Sequence, residues 1–305
     1  MGMVSGLLQC VTRCVIGFLC ALAITLPQIV LSDETGNQIH FVFDLDDTLI
    51  RWIRPDEKLG GEVIPKSGTI NGYKYRVMDG ASEILGSLLQ DYPGAKISFF
   101  SAGPRNRNLQ ILQQLRLPDG RAALEIAYKV LSEEELTTVG KNRYKDLRLV
   151  VDGGGLNNLV LFDDKPSIIL PGQEKNVLWI GDKPEFHQVK LDEGRQSVRQ
   201  FLQNRNKLVR ARGVVEAAIE KAKQAKISLS EALWILQEGR LNTEGQILRE
   251  TSTLYDISFY RRGIRSFAKV NSGYRFTTAL PGRIKPGCIR RQLKALLNKP
   301  AIKII

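Results

Sequence analysis

The sequence predicts an α/β protein in which a parallel sheet carries helices on both faces. Short runs of β-branched and aromatic residues alternate with helical patterns along residues 39–180, which is typical of parallel strands joined by crossover helices. Several strand runs end in polar residues, and the carboxyl edge of such a sheet is where ligands bind. The 305 residues, 43% of them apolar, allow one domain of this kind and a smaller appendage.

The first strand is expected at residues 39–44, where an apolar run ends in an aspartate. Residues 51–75 are polar, contain four glycines and show no helical period, which predicts a short hairpin-like flap instead of a large cap. A helix is expected over 81–89, where apolar residues recur at helical spacing: Ile84, Leu85, Leu88 and Leu89. Pro93 and Gly94 end that unit.

The next part of the chain, up to residue 180, repeats the alternation. A helix is expected over 106–115, where leucine and isoleucine recur at helical spacing. An acidic turn is expected at 133–135. Strands are expected at 95–100, 126–130, 159–162 and 176–180. The carboxyl ends of these strands then bring Ser101, Asp163 and Asp182 to the same edge of the sheet as Asp44.

From Asp192 onward the pattern changes to long amphipathic helices with charged outer faces. Ser228 and Glu231 form a capping box ahead of an apolar helix at 232–236. After Tyr255 the sequence is aromatic and basic, and its pattern predicts no particular secondary structure. The predicted organisation is a leader at 1–32, an α/β domain at 33–190, a helical extension at 191–256 and a basic segment at 257–305.

The formal net charge of +12 is concentrated in the basic segment, which contains twelve Lys or Arg residues and no Asp or Glu. A solvated basic face is the commonest meaning of such a segment. The alternative is an anionic partner: a membrane surface contacted through Arg261, Arg262 and Arg265, or, less favoured, nucleic acid.

Residues 1–32 resemble a secretory signal peptide. The first thirty residues contain no acid, and an apolar run at 14–26 is followed by Pro27. The run is too short and interrupted for a typical membrane span. Cleavage is expected between Ser32 and Asp33, with Ala23 marking a second choice, and the mature protein is then exported to the periplasm or secreted. An uncleaved amino-terminal anchor is the alternative.

Zinc chemistry is not expected from the cysteines and histidines. Three of the four cysteines lie in the leader, which leaves only Cys288 in the mature chain, and the two histidines are His40 and His187. No spacing of these residues matches a zinc-binding pattern, and no internal disulfide remains after cleavage. Both histidines are expected to be structural.

Two carboxylates follow the first strand at a spacing that lets both face one substrate. Side chains at i and i+2 of an extended segment share a face, so Asp44 and Asp46 are expected to address one substrate while Leu45 points away. One carboxylate can attack phosphorus while the other manages the proton. The pattern therefore favours a phosphoryl-transfer centre, although aspartates are also frequent in surface turns.

Four motifs then occur in chain order: Asp44-x-Asp46-x-Thr48, Ser101, the Lys145 of a KDL sequence, and Asp163–Asp164. Together they resemble the haloacid dehalogenase (HAD) superfamily of aspartate-nucleophile phosphatases, over residues 39–188. The closer resemblance is to the FCP/SCP-like branch, best known for acting on phosphorylated protein tails, because DLDDTL, FFSAG, KDL and LFDDKPS follow its motif order. One element departs from that branch, since Asp79 stands where its RPG motif has proline.

The resemblance implies a Rossmann-type HAD fold and a role for each motif. Asp44 is the implied nucleophile that forms an aspartyl-phosphate, and Asp46 is the general acid and then the general base. Ser101 and Lys145 are implied to bind the phosphoryl oxygens and to neutralise their charge. Thr48 is expected to brace the loop and to be one of the substrate-binding residues, with Ser101 and Lys145.

The resemblance also implies a bound Mg²⁺, because a dianionic phosphate does not approach bare carboxylates without a cation. Its implied ligands are Asp44, the backbone carbonyl of Asp46, and Asp163 or Asp164. Oxygen ligands with several waters suit this ion.

Some positions have competitors. Lys141 competes with Lys145 for the lysine role, and Asp182, in a second acidic motif, competes with Asp163–Asp164. Arg105 and Arg107 follow Ser101 closely and either touch the substrate or only begin a solvated helix. Asp47 and Asp146 are expected to cap helices or face solvent.

The short segments between motifs indicate what the enzyme accepts. Neither the flap nor the segment between Lys145 and Asp163 is long enough for a large lid. An uncovered site admits a phosphate carried on a macromolecule, so a phosphoprotein is the expected substrate. The alternatives are a small phosphomonoester, or an inactive HAD-fold protein that binds an anionic membrane or nucleic acid through its basic carboxyl terminus.

Overall fold

The computed structural model describes residues 38–53, 67–70, 73–181, 205–237 and 256–275, all within a compact unit that spans Ser32–Ile305. The strands are β1 (His40–Phe43), β2 (Ile50–Ile53), β3 (Ser67–Ile70), β4 (Tyr73–Val77), β5 (Lys96–Phe100), β6 (Ala127–Leu131), β7 (Thr137–Val139), β8 (Asn142–Tyr144), β9 (Leu159–Asp163) and β10 (Val177–Trp179). The helices are α1 (Ala81–Asp91), α2 (Arg105–Gln114), α3 (Lys207–Ala225), α4 (Leu229–Leu236) and α5 (Ile257–Val270).

Five strands form one sheet in the order β10-β9-β1-β5-β6, and every neighbouring pair is parallel. The central strand β1 aligns Phe43 with Phe99 of β5 and with Phe162 of β9. The residues that follow β1, β5 and β9 therefore meet at one edge. This topology confirms the predicted α/β fold with a parallel sheet, and each predicted strand and helix up to residue 180 is present within a few residues of its expected bounds.

The two faces of the sheet are both packed, as the period of two along each strand requires. On one face Val42 and Leu161 join a buried cluster against which Trp234 of α4 packs. On the other face the rings of Phe43 and Phe162 stack at 4.2 Å, and Phe41 contacts Tyr92 at the end of α1. Aromatic pairs of this kind add roughly 0.5–1.5 kcal/mol beyond their burial. Side chains therefore pack closely on both faces of the sheet.

The segment predicted as a flap is a small antiparallel sheet in the order β2-β4-β3. Ile50 of β2 pairs with Val77 of β4, and both side chains are buried. Residues 54–66 of this segment lie outside the described part of the chain. In its described part, the segment after β1 contains only this small sheet, which agrees with the predicted short flap.

A second small hairpin was not predicted from the sequence. Strands β7 and β8 pair Val139 with Asn142 around a two-residue loop that begins at Gly140, whose φ of +61° favours glycine. The hairpin leads directly into Lys145, whose backbone N–H donates to the carbonyl of Ile168. A glycine-led two-residue loop is a known hairpin signal, but strands of three residues are too short to show an alternating pattern.

The helical carboxyl-terminal part is present. Ser228 caps α4 as predicted, since its hydroxyl accepts from the N–H of Glu231 at 3.1 Å. Helix α5 was not predicted, yet its buried residues recur at helical spacing: Ile257, Tyr260, Gly263 and Phe267. Gly263 lies in the middle of that buried face, where a glycine lowers helix propensity and obscures the pattern.

Helices α3 and α5 cross in direct backbone contact. A Cβ atom at Gly213 of α3 would overlap the carbonyl of Phe259, and one at Gly263 of α5 would overlap the carbonyl of Val209. The absence of side chains at these two glycines is therefore what allows the close approach. Arg262 of α5 pairs with Glu216 and Glu220 of α3 at 3.2 and 2.7 Å, so part of the basic segment's charge is neutralised within the helical layer.

The carboxyl-terminal helices are attached to the edge of the large sheet. Gln237, at the end of α4, accepts from the N–H of Trp179 at 3.2 Å and donates to the carbonyl of Val177 at 2.8 Å. Arg210 of α3 donates to the carbonyl of Trp179 at 3.0 Å. These side chains satisfy backbone groups that an edge strand such as β10 would otherwise leave open.

None of the helices among the described residues combines the length and the apolar character needed to cross a bilayer. The leader at 1–32, Asp182, His187 and Cys288 lie outside the described residues. The expected export and the expected domain boundaries stay predictions.

Candidate active site

The loop after β1 places two carboxylates at the edge of the sheet. The N–H of Asp44 donates to the carbonyl of Phe162 at 3.0 Å, which continues the parallel ladder by one residue. The chain then turns tightly, because the carbonyl of Leu45 accepts from the N–H groups of Leu49 and Ile50, both at 2.9 Å. Asp47 has a φ of +56° in this turn. Asp44 is buried while Asp46 remains about a third exposed.

Lys145 joins two of the predicted site carboxylates. Its Nζ lies 2.7 Å from Asp44 Oδ1 and 2.7 Å from Asp163 Oδ2, and all three side chains are buried. Burial raises the pKa of Asp44 well above its usual range, against the attraction of the ammonium. Burial alone would lower the pKa of Lys145, but Asp163 and Asp44 raise it above its ordinary value. Both carboxylates therefore favour the charged form of the lysine.

Asp163 and Asp164 lie beside this group at the end of β9. Asp163 Oδ1 accepts from the N–H of Lys165 at 2.7 Å, which fixes the carboxylate. Burial and the charge of Asp163 raise the pKa of Asp164 to about 7. Asp44, Asp163 and Asp164 each offer a carboxylate oxygen, and these oxygens lie within 4.8 Å of one another.

These three aspartates fit the implied Mg²⁺. Magnesium prefers oxygen ligands, and the group supplies only carboxylates. Burial, together with the repulsion between the carboxylates, raises the pKa values of Asp44 and Asp164, and a divalent cation between them would relieve that repulsion. The Asp46 carboxylate is not part of this group and is held by other partners.

Asp46 is held by donors from three elements. Its Oδ1 accepts from the indole N–H of Trp52 in β2 at 2.6 Å. Its Oδ2 accepts from Arg107 Nη2 in α2 at 2.6 Å and from the Ser101 hydroxyl at 3.3 Å. The structure thus brings Asp46 and Ser101 together, as their positions at the ends of β1 and β5 predicted, and adds a flap residue and a helix residue to them.

Thr48 is placed in the interior of the turn. Its side chain is fully buried, and among the described residues its Oγ1 has no hydrogen-bond partner. Its backbone N–H donates to the carbonyl of Leu45 at 3.2 Å. The backbone of Thr48 therefore helps to close the loop, while its hydroxyl keeps its hydrogen-bonding capacity.

Lys207 is a residue of this site that the sequence analysis missed. It is the first residue of α3, it is buried, and its Nζ donates to the backbone carbonyl of Asp47. Burial lowers the pKa of Lys207 to about 8, although Asp164 and Asp47 act in the opposite direction. No local signal marks this lysine, because it lies far along the chain from the four motifs, on a helix that packs against them.

The competing residues fall in different places. Lys141 is exposed at the tip of the β7–β8 hairpin, whereas Lys145 lies in the site. Asp146 accepts from the N–H of Arg148 at 3.0 Å and so caps the short 3₁₀ helix Leu147–Leu149, as expected. Arg105 is exposed and pairs with Glu135, whereas Arg107 contacts Asp46.

The parallel sheet, with these aspartates, serine and lysine converging at its carboxyl edge, defines a phosphatase of the HAD class. A family comparison gives the finer assignment. Residues 39–210, more than half of the chain, match the NLI interacting factor-like phosphatase family, and the chain belongs to this family. The predicted membership of the FCP/SCP-like branch and the predicted phosphatase activity class are confirmed.

Further comparisons add two solved structures. One is the fission yeast RNA polymerase II CTD phosphatase Fcp1, in a variant bound to beryllium fluoride, with 12% identity and a TM-score of 0.39. The other is Fcp1, described as an essential RNA polymerase II CTD phosphatase, with 13% identity and a TM-score of 0.38. Both alignments cover 73% of this chain and 80% of the other chain. No curated protein matches the sequence.

Proposed function

We propose that this phosphatase is magnesium-dependent, works through an aspartyl-phosphate on Asp44, and acts on phosphorylated protein. The observation that carries the proposal is the arrangement at the end of β1. Asp44 is buried against the ammonium of Lys145, and Asp46, two residues later, reaches solvent beside Ser101. One carboxylate is therefore held close to fixed positive charge, and the other has access to protons from water.

In this mechanism the two aspartates act in sequence. A carboxylate oxygen of Asp44 attacks phosphorus, the bond to the ester oxygen breaks, and Asp46 donates a proton to that leaving oxygen. Asp46 then removes a proton from water, which attacks the phosphorus of the aspartyl-phosphate and releases phosphate with Asp44 restored. Lys145 holds Asp44 in place and neutralises charge around it.

Asp44, Asp163 and Asp164 would hold the magnesium ion. When bound, the ion supplies positive charge that lets a phosphate dianion approach the carboxylates. Ser101 is fully buried, with its hydroxyl next to Asp46, and is suited to donate a hydrogen bond to a phosphoryl oxygen. The buried hydroxyl of Thr48 has no partner among the described residues, so it is available to bind the substrate or to brace the loop.

The small size of the described segments around the site supports a macromolecular substrate. The described insertion between β1 and α1 is a small antiparallel sheet, and the segment between Lys145 and Asp163 holds only one short 3₁₀ helix and loops. Among the described residues, neither forms a separate lid. A phosphate carried on a protein segment is therefore the proposed substrate, and a small phosphomonoester is the alternative.

The central test is hydrolysis of p-nitrophenyl phosphate with and without Mg²⁺. We expect Asp44→Asn to reduce turnover to the background rate, because the amide does not form the phosphoenzyme. Asp46→Asn is expected to lower kcat by about 10²–10⁴-fold, the usual value of general acid–base catalysis. Asp47→Asn is the matched control and should retain activity, since asparagine tolerates the same backbone conformation.

Turnover that survives Asp44→Asn would contradict the assignment of the nucleophile. Phosphoserine, phosphothreonine and phosphotyrosine peptides, compared with small sugar phosphates at equal concentration, separate the two substrate classes. A higher kcat/KM for every small ester than for every peptide would overturn the phosphoprotein proposal and leave the phosphatase standing. An inactive binding protein would instead show no Mg²⁺-dependent turnover of any phosphate ester.

A further inference from the structure

Arg107 occupies the solvent side of the catalytic group and has no role in the proposed mechanism. Its Nη2 lies 2.6 Å from Asp46 Oδ2, 3.2 Å from the Ser101 hydroxyl and 2.9 Å from Asn108 Oδ1. Its side chain is 21% exposed, so the guanidinium is positioned by the protein and still reaches water.

The surroundings of Arg107 place it beside Asp46 and leave its guanidinium room to turn. Its guanidinium carbon lies 5.5 Å from the ring centroid of Trp52, and the Trp52 indole itself donates to Asp46. Gly103 leaves the space beside the guanidinium, since a Cβ atom there would overlap Arg107. A flap residue, a loop residue and a helix residue thus combine to place one cation at the entrance. A planar guanidinium that packs against an aromatic ring loses little conformational freedom when it binds an anion.

The other cations of the site are committed elsewhere. Lys145 is shared between Asp44 and Asp163, and Lys207 donates to the carbonyl of Asp47. In contrast, Nη1 of Arg107 has no acceptor among the residues that the structure describes. An incoming phosphate dianion therefore encounters a guanidinium beside the carboxylates. The Nη1 donors of this guanidinium are not used by any described residue.

We propose that Arg107 is a specificity-determining, substrate-binding residue, which binds two non-bridging oxygens of the phosphomonoester dianion. The inference rests on the proposed function and names the group that recognises its substrate. The guanidinium presents parallel N–H donors that match phosphate oxygens, as a lysine ammonium does not. When it turns from Asp46 to the phosphate, Asp46 loses its strongest partner and becomes available to the leaving oxygen. Binding and proton transfer are thereby linked through one side chain.

The test measures phosphate recognition apart from turnover. Arg107→Gln and Arg107→Lys are compared with the wild type for KM, kcat and the inhibition constant of inorganic phosphate, in the presence of Mg²⁺. A hydrogen bond between charged groups contributes about 1.5–3 kcal/mol, so Arg107→Gln should raise KM and the inhibition constant by roughly 10–100-fold. Arg107→Lys should recover only part of that loss, because it restores the charge without the planar pair of donors.

Arg105→Gln is the matched control. It removes the same charge two residues earlier on α2, where Arg105 is exposed and pairs with Glu135, and it should leave KM and the inhibition constant unchanged. Circular dichroism and the midpoint of urea unfolding check that each variant is folded. If Arg107→Gln does not fold, Arg107→Lys, which keeps the charge next to Asp46, carries the comparison.

An unchanged inhibition constant together with a reduced kcat would overturn the proposal, since Arg107 would then act only by positioning Asp46. Phosphate binding is also measured by calorimetry, which needs no turnover. If the wild type has no phosphatase activity, the proposed function fails, while the calorimetric comparison still decides whether Arg107 binds phosphate. The two failures are therefore distinguishable.

Discussion

At the scale of single residues, the carboxylates of the site outnumber the cations that contact them. Lys145 serves both Asp44 and Asp163, and Arg107 holds Asp46. Removing one member of a buried charge group costs more than forming it contributes, because the remaining charge keeps its desolvation cost. Each of these side chains is therefore expected to affect both stability and catalysis, and kinetic tests need a folded-state control.

His40 is the residue that should make stability depend on pH. Its Nε2 lies 2.8 Å from the Ser98 hydroxyl, and burial together with Lys96 and Lys129 lowers the pKa of His40 to about 4. Between pH 6.5 and 4 the unfolded chain takes up a proton at this position and the folded chain does not, so acid lowers the free energy of unfolding. The slope is about 1.4 kcal/mol per pH unit in this window, or about 3 kcal/mol in total.

His40→Gln tests this expectation, because glutamine retains a polar group for Ser98 and does not titrate. Urea unfolding at about pH 7 and about pH 4 should show the wild type losing about 3 kcal/mol more than His40→Gln over that range. His187→Gln supplies a comparison with the other histidine of the chain. A difference between wild type and His40→Gln that stays constant with pH would contradict the lowered pKa.

At the scale of elements, the crossing of α3 and α5 decides how the carboxyl-terminal part packs. Gly213→Ala and Gly263→Ala each place a methyl group where the partner helix has a backbone carbonyl. Overpacking of this kind costs typically about 1–3 kcal/mol, and it exceeds the ~1 kcal/mol that alanine gains in helix propensity. We expect each variant to be less stable than the wild type by about 1–2 kcal/mol in urea unfolding.

Gln224→Ala is the control for the helix crossing, since Gln224 lies on the exposed side of α3 near its end. It gains helix propensity without entering the contact and should change stability by less than about 0.5 kcal/mol. Gly263→Ala that is as stable as Gln224→Ala would show that the two helices do not meet as closely as described.

The contacts of α3 also extend to the carboxyl edge of the large sheet, where the candidate active site lies. Lys207 begins α3 and binds the turn after β1, and Arg205 just before it donates to Asp79 at 2.7 Å. Asp79 is the residue that stands where the FCP/SCP-like branch has proline, and here its carboxylate joins the start of α1 to the start of α3. Asp79, the residue that departs from the motif, is thus paired with Arg205 of the same chain.

At the scale of the whole molecule, metal binding should stabilise the fold. The carboxylates of the candidate metal site come from the ends of β1 and β9, so an ion held between them links distant parts of the chain. A ligand at about a hundred times its Kd adds about 2.7 kcal/mol to the free energy of unfolding. We expect Mg²⁺ to raise the Tm of the wild type and to have little effect on Asp163→Asn, measured by differential scanning calorimetry.

Asp182→Asn distinguishes the two acidic motifs in the same experiment. If Asp163 and Asp164 hold the ion, Asp182→Asn keeps the Mg²⁺-dependent rise in Tm. A rise that persists in Asp163→Asn and disappears in Asp182→Asn would move the metal site to the second motif.

Much of the set of residues that converge at the carboxyl edge of the sheet could be predicted from the sequence. A strand followed by Asp44 and Asp46, a second strand followed by Ser101, and a third ending at Asp163 predicted one converging edge, and the structure brings these residues together. The KDL context favours Lys145 over Lys141, and in the structure the Lys145 ammonium lies between Asp44 and Asp163. The roles assigned to these residues stay predictions until the variants are measured.

Other features had no local signal. Helix α5 was not predicted, because Gly263 interrupts its buried face, and Lys207 and Trp52 carry no motif of their own. The sequence indicates only that Arg107 lies near Ser101, where it either touches the substrate or begins a helix. Its contact with Asp46 depends on how α2 packs against the turn after β1, which spacing along the chain does not reveal.

By itself, the sequence determined the alternation of strands and helices and the residues at the strand ends, since both depend on periodicity and on neighbours close along the chain. Only the tertiary structure decided which cation faces which carboxylate. Arg107, Lys145 and Lys207 reach the edge from three separate elements, and their partners lie far from them in sequence. Charge pairing of that kind depends on distance and burial in space, which periodicity along the chain does not encode.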